Sequence, residues 1–222
     1  MCGMTLHGES FENDGPSSAT TAAPVRESKE TLRHSALSRR KRTTAAERMA
    51  AGEALALHFP LPLLGADPAT MSVAAYVSMG TEVETRPLLT LLLDRGCTVM
   101  VPRLGSGRDI GWSVLTDVTM LRAVDQPGHL RPDEPIGRIL PPDALSQCGL
   151  VIAPALGVDP RGYRLGRGAG WYDRALALRR PDCPLIAVCW PWEVMGEPLP
   201  TENHDVPADA VLTPEGYRRL RR

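Results

Sequence analysis

Lysine is almost missing from this 222-residue chain: of its 25 basic residues, only Lys29 and Lys41 are lysine. Twenty-six acidic residues balance them, leaving a formal net charge of −1. No excess of one sign calls for nucleic acid or an anionic membrane surface, so any electrostatic role must be local. No uninterrupted apolar run approaches the ~18–20 residues that a membrane-spanning helix needs. The opening residues carry Glu9, Glu12 and Asp14, without the basic and apolar stretches of a secretory leader. Cysteine is odd in number and scattered, at Cys2, Cys97, Cys148, Cys183 and Cys189, with no C-x-x-C spacing. That pattern spells neither a zinc site nor a disulfide framework and fits reduced thiols. The expectation is a cytoplasmic protein, a monomer, with no membrane and no nucleic-acid partner.

What is present is an α/β pattern. Residues 1–26 are rich in Gly, Ser, Thr, Pro and acids and show no apolar period, which predicts a disordered tail ahead of a single domain over 27–222. A helix is expected from Ser28, with Leu32, Ala36 and Leu37 on one side. A second follows the capping-box spelling Thr44-Ala-Ala-Glu47 and ends at Pro60 and Pro62. Strand-like runs at Val73–Val77, Thr98–Val101 (closed by Pro102), Leu150–Ala153, Leu185–Cys189 and Ala210–Leu212 alternate with helical stretches after Thr85–Pro87 and from Trp171. Residues 104–149 are poorly periodic, with a short hairpin expected around Ile110–Val114. The fold class is α/β: three layers, a mainly parallel sheet flanked by helices. Ligands then belong beyond the carboxyl ends of the strands, in the loops after Val77, Val101 and Pro154.

The most informative stretch runs from Arg164 to Asp173. Gly166, Gly168 and Gly170 alternate just ahead of a helix, so successive backbone N–H groups can turn inward as an anion cradle, with Arg164 and Arg167 adding guanidinium contacts. Asp173 falls in the first helical turn and can face a magnesium ion. It is neither a Walker A loop nor a dinucleotide fingerprint, and a flexible glycine turn with solvated arginines is the alternative. Lys29 and Arg33, four apart on one helix face, either share a phosphate or form a basic face neutralised by Glu27 and Glu30. Glu82 and Glu84 follow the first strand; they either bind N–H groups of a heterocycle or open the next helix as N-terminal acids. Glu202-Asn-His204-Asp205 groups potential metal or proton-transfer side chains, although a lone loop histidine is more often structural. Trp171, Tyr172, Trp190 and Trp192 either stack on a flat ligand or belong to the core.

In this order, Lys29-x-x-x-Arg33, Met79-Gly-Thr-Glu82-Val-Glu84, Pro154-Ala-Leu-Gly-Val-Asp159 through Arg164-Leu-Gly-Arg-Gly-x-Gly-x-Tyr-Asp173, and His204-Asp205-x-x-x-Asp209 resemble the 5-formyltetrahydrofolate cyclo-ligase family over roughly residues 28–217. The resemblance implies a fold shared with sugar-phosphate isomerases and CoA transferases, and ATP-dependent closure of 5-formyltetrahydrofolate to 5,10-methenyltetrahydrofolate with Mg2+. It assigns ATP binding to Lys29, Arg33, Arg164, Leu165, Gly166, Arg167, Gly168, Ala169, Gly170, Trp171 and Tyr172. It assigns the folate to Val77 and Glu82, magnesium to Asp173 and Asp205, and the catalytic roles to Arg167 and Tyr172. Many relatives carry Gly or Lys where this chain has Ala169, and two tyrosines where it has Trp171-Tyr172, which throws more phosphate charge onto Arg167. Two other readings stand beside it. One is a sugar-phosphate isomerase or CoA-transferase-like enzyme of the same fold; the other is a nucleic-acid or partner-binding module working through Arg39-Arg-Lys-Arg42.

Overall fold

A computed structural model describes residues 1, 28–104, 110–124 and 131–220. The tail expected over 1–26 therefore lies, but for Met1, outside the described residues. Helices α1 (Lys29–Arg40), α2 (Ala45–His58), α3 (Arg86–Asp94) and α4 (Trp171–Leu176) accompany strands β1 (Ser72–Ala74), β2 (Thr98–Leu104), β3 (Ile110–Leu115), β4 (Leu121–Arg122), β5 (Glu134–Pro135), β6 (Leu150–Pro154), β7 (Gly157–Val158), β8 (Arg164–Leu165), β9 (Leu185–Val188), β10 (Ala210–Thr213) and β11 (Gly216–Arg219). Seven strands make the main sheet in the order β11-β10-β9-β6-β1-β2-β3. The five inner ones are parallel, and β3 and β11 pair antiparallel at the two edges.

Both faces of the inner strands are covered, so they read as continuous apolar runs and not as alternating ones. Val73, Leu150, Ile152, Ile186, Val188 and Leu212 point into one core beneath α2 and α3. Their neighbours Ala74, Val151, Ala153, Leu185, Ala187 and Val211 point into the other, with α4 and the turn around Leu145. The helix starts follow local chemistry. Ser28 caps α1 by accepting the Thr31 N–H, and Thr44 and Glu47 complete a capping box on α2.

Two local expectations are corrected. Pro102 does not close its strand: β2 continues to Leu104. Trp112, opposite Pro102, turns both its N–H and its C=O to Leu140 on the far side, so no donor is asked of the proline. The loop expected after Val101 thus starts later and falls in 105–109, outside the described residues. The segment around Ile110–Val114 forms its hairpin with the preceding β2, as β3.

Candidate functional site

The glycine-rich segment, the start of α1 and the loop after β1 meet at one cleft of about 340 Å³. It opens at the carboxyl ends of β1 and β6. From this adjacent pair the chain builds outward in opposite directions, through β2 and β3 on one side and β9, β10 and β11 on the other. Such a switch point is where open α/β sheets leave a crevice.

Helix α1 delivers Lys29 and Arg33 to different walls of the cleft. Lys29 Nζ lies 2.8 Å from Asp205 Oδ2 and 3.3 Å from Glu202 Oε1. Burial works against its charge, but the hydrogen bonds to these carboxylates outweigh it and hold the ammonium above its ordinary pKa. Asp205 is held low in turn: burial opposes its charge, and the bonds from Lys29 and the Glu202 N–H prevail. Arg33 donates Nε–H to the Gly166 carbonyl at 2.8 Å. The partners of the basic pair thus come from the far end of the sequence, and Glu27 lies outside the described residues.

The glycine loop is left-handed at Gly168 (φ 102°) and Gly170 (φ 65°), a conformation that side chains with a Cβ resist. Gly166, Ala169, Trp171 and Tyr172 line the cleft with them. Helix α4 is only six residues long, so little dipole accumulates at its start, and the loop's N–H groups and arginines are the stronger attraction for an anion. Arg164, its side chain 4% exposed, donates to Asp173 Oδ1 at 3.0 Å. Burial lowers its pKa against the pull of Asp173. Its Nε is buried with no acceptor, a state that costs about 1–3 kcal/mol and that a ligand oxygen would relieve. Tyr172, like any phenol, carries its proton at neutral pH, and burial, reinforced by the Glu82 carboxylate, raises its pKa further and keeps it a hydrogen-bond donor.

The two acids after β1 divide the roles that the sequence left open. Glu84 caps α3, accepting the Thr85 and Arg86 N–H groups at 2.9 and 3.0 Å. Glu82 turns into the cleft, 5% exposed, with Oε2 accepting the Met79 N–H at 3.0 Å and Oε1 facing Arg167 at 3.3 Å. Gly52 of α2 makes this segment possible, because a Cβ there would stand 2.3 Å from the Glu84 carbonyl oxygen. Beyond Met79 and Glu82 a second hollow of about 330 Å³ opens, bordered by Arg48, Arg86 and Asp133.

Two residues assigned through the resemblance do not reach the cleft lining. Val77, 3% exposed, belongs to the core under α2 and α3, and Leu165, 2% exposed, packs with Leu156 and Leu199. For Leu165 the reason is the strand period of two, which turns its neighbours Arg164 and Gly166 toward the cleft and Leu165 away. Asp173 and Asp205 both border the cleft, from α4 and from the loop before β10. Among the described residues no group of three or more His, Cys, Asp or Glu side chains is arranged so that it could by itself hold a metal ion. His204 joins the lining 3.5 Å from Glu202.

The basic run 39–42 is half absorbed by the fold. Arg39 lies over the Trp192 ring at 4.6 Å, and Trp192 stacks on Trp190 at 4.7 Å. Arg40 is 2% exposed and grips Glu193 with two bonds of 2.7 Å. This disfavours a nucleic-acid module, which needs the run as a free face. Arg40, which the sequence offered only within a basic run, and Glu193, which it did not single out, sit behind the cleft and meet it through the Ala155 carbonyl; the available signal was that Arg40 continues the Lys29 and Arg33 stripe at helical spacing.

The model of the 5-formyltetrahydrofolate cyclo-ligase family matches residues 25–214. The chain belongs to this family. Similar proteins include the 5-formyltetrahydrofolate cyclo-ligase of Mycolicibacterium smegmatis, 35% identical over 193 residues, covering 85% of this chain and 94% of that one. The 5-formyltetrahydrofolate cyclo-ligase of Escherichia coli is 30% identical over 161 residues, covering 64% of this chain and 78% of that one. Among solved structures, the 5,10-methenyltetrahydrofolate synthetase of Aquifex aeolicus superposes with a TM-score of 0.65 at 27% identity, covering 87% of this chain and 93% of that one. Cyclo-ligase membership sets aside the isomerase and CoA-transferase readings. No helix among the described residues is long and apolar enough to cross a membrane.

Proposed function

We propose that the protein uses ATP to close 5-formyltetrahydrofolate into 5,10-methenyltetrahydrofolate in the cleft between the glycine loop and Glu82. The observation that carries this reading is the contact of Arg167 with Glu82 at 3.3 Å, because it joins a phosphate-type loop to a buried carboxylate suited to heterocycle N–H groups. In the reaction the formyl oxygen takes the γ-phosphoryl group and ADP leaves. N10 then attacks the activated carbon, phosphate departs with the former formyl oxygen, and the N10 proton is lost. The chain's share is positioning and charge neutralisation. Lys29, Arg33, Arg164 and the N–H groups of 166–170 would hold the phosphates, Glu82 the folate, and Arg167 the phosphoryl group between them. Tyr172, kept protonated, would donate a hydrogen bond to an oxygen gaining charge.

The donor set also suits magnesium. Asp173 and Asp205 are hard oxygen ligands beside the loop, and magnesium commonly takes one or two carboxylates plus phosphate oxygens. When bound, it would neutralise charge on the phosphates. Each carboxylate is now paired with a cation of the ATP side, Asp173 with Arg164 and Asp205 with Lys29. Metal and nucleotide, when bound, would therefore replace these internal ion pairs with matching charges.

The direct test is to mix protein, Mg-ATP and 5-formyltetrahydrofolate and follow the absorbance of the methenyl product; none forming under saturating conditions would refute the reading. Lys29→Ala and Arg33→Ala should each raise the KM for ATP about tenfold and leave that for folate within about twofold, since each removes one contact on the nucleotide side. Steady-state titration of both substrates checks this, and an unchanged KM for ATP in both variants would remove the pair from the site.

A further inference from the structure

Glu82 Oε1 sits between two guanidinium groups of unequal freedom. Arg167 approaches from the glycine loop, with Nε and Nη2 both at 3.3 Å and a side chain 31% exposed. Arg40 approaches from inside the protein, at the end of α1, with Nη1 at 4.0 Å. Its remaining donors are fixed: Nε and Nη2 each hold a Glu193 oxygen at 2.7 Å, and Nη2 also reaches the Ala155 carbonyl at 2.6 Å. Ala155 lines the cleft at the end of β6. Arg40 therefore ties together the helix that carries Lys29 and Arg33, the strand end that floors the cleft, and the carboxylate on its opposite wall.

In the proposed reaction Arg167 turns toward phosphate. Glu82, almost fully buried, then keeps the Met79 N–H and one cation, Arg40. A carboxylate without water or a positive partner is costly to hold ionised. We infer that Arg40 is a positioning residue that keeps the Glu82 carboxylate paired and aimed at the folate while Arg167 is drawn to the nucleotide. This rests on the assignment of the cleft to ATP and folate. It goes beyond a packing role, because the Glu193 pair by itself would satisfy a buried arginine without requiring Nη1 to face Glu82.

The test separates these roles by repairing the packing. Arg40→Met/Glu193→Leu removes both buried charges, so the melting temperature should recover most of what either single change loses, the remaining deficit being the Trp190 N–H and the Ala155 carbonyl left without their partners. The KM for 5-formyltetrahydrofolate should nevertheless stay raised about tenfold or more, with that for ATP changed less than about twofold. Arg40→Lys, which keeps a cation near Glu82 but loses the fork on Glu193, should show an intermediate folate KM. The effect should vanish in a Glu82→Gln background, as expected of a residue that acts through Glu82. A repaired variant with the parent's folate KM would overturn the inference, leaving Arg40 as Glu193's partner alone. Should the repaired pair fail to fold, the cycle of Arg40→Lys against Glu82→Gln decides: equal shifts in both backgrounds overturn it, and no shift beside Glu82→Gln supports it. Failure of the wider reading looks different, because the parent itself would then form no methenyl product.

Discussion

Arg167→Ala should lower kcat by about 10²- to 10³-fold, the loss that follows removal of one preorganised donor to a charged transition state. The folded state should hardly register the change. Arg167 sits on a loop, its side chain is 31% exposed, and its ion pair with Glu82 is long at 3.3 Å. Glu82, although buried, keeps the Met79 N–H and the Arg40 guanidinium as partners when Arg167 is removed. On the proposed reading the side chain matters for catalysis, because Ala169 provides no second cation at the neighbouring loop position. Arg167→Lys should recover part of the rate, since it keeps the charge and loses the planar fork. Rapid-quench measurement of a single turnover, beside a melting curve, checks both halves. A folded Arg167→Ala protein with near-normal kcat would move phosphoryl stabilisation elsewhere in the cleft.

The largest effect on stability is expected at Glu193. Glu193→Ala should cost about 3–5 kcal/mol, the range for removing one partner of a buried ion pair. Arg40 is 2% exposed and would retain only the Ala155 carbonyl and Glu82 at 4.0 Å. The same change strips the Trp190 N–H of its acceptor at 2.9 Å. For a chain of this length each kcal/mol shifts the melting temperature by roughly 2–4 °C, so a fall of about 10 °C is expected. Urea denaturation gives the free energy directly. A loss below about 1 kcal/mol would show that Arg40 finds compensation from water or from Glu82.

The sequence was most legible where neighbours in the chain decide the outcome. Ser28 and Thr44 caps, apolar runs of strand length and a Gly-x-Gly-x-Gly turn are determined within a few residues, and each led to an element that the fold contains. Edges were harder. β11 and the β7–β8 ladder are short and carry few apolar residues, so period alone does not reveal them. Pro102 misled for a different reason, because whether a strand tolerates proline depends on which way its partner's backbone groups point.

Amino-acid order by itself determined the class of the fold, the family motif, and that arginines and glycines would gather at one loop. Only the tertiary structure decided which charge meets which. Glu82 turns inward and Glu84 caps a helix, although they are two residues apart in the same acidic stretch. Lys29 finds Asp205, Arg167 finds Glu82, and Arg40 finds Glu193, across 176, 85 and 153 residues. Burial makes the Arg40–Glu193 pairing necessary and leaves the almost buried Glu82 in need of a cation, since a charge removed from water must find a partner. Which partner it finds depends on where the sheet brings distant segments together, and local propensity carries no record of that.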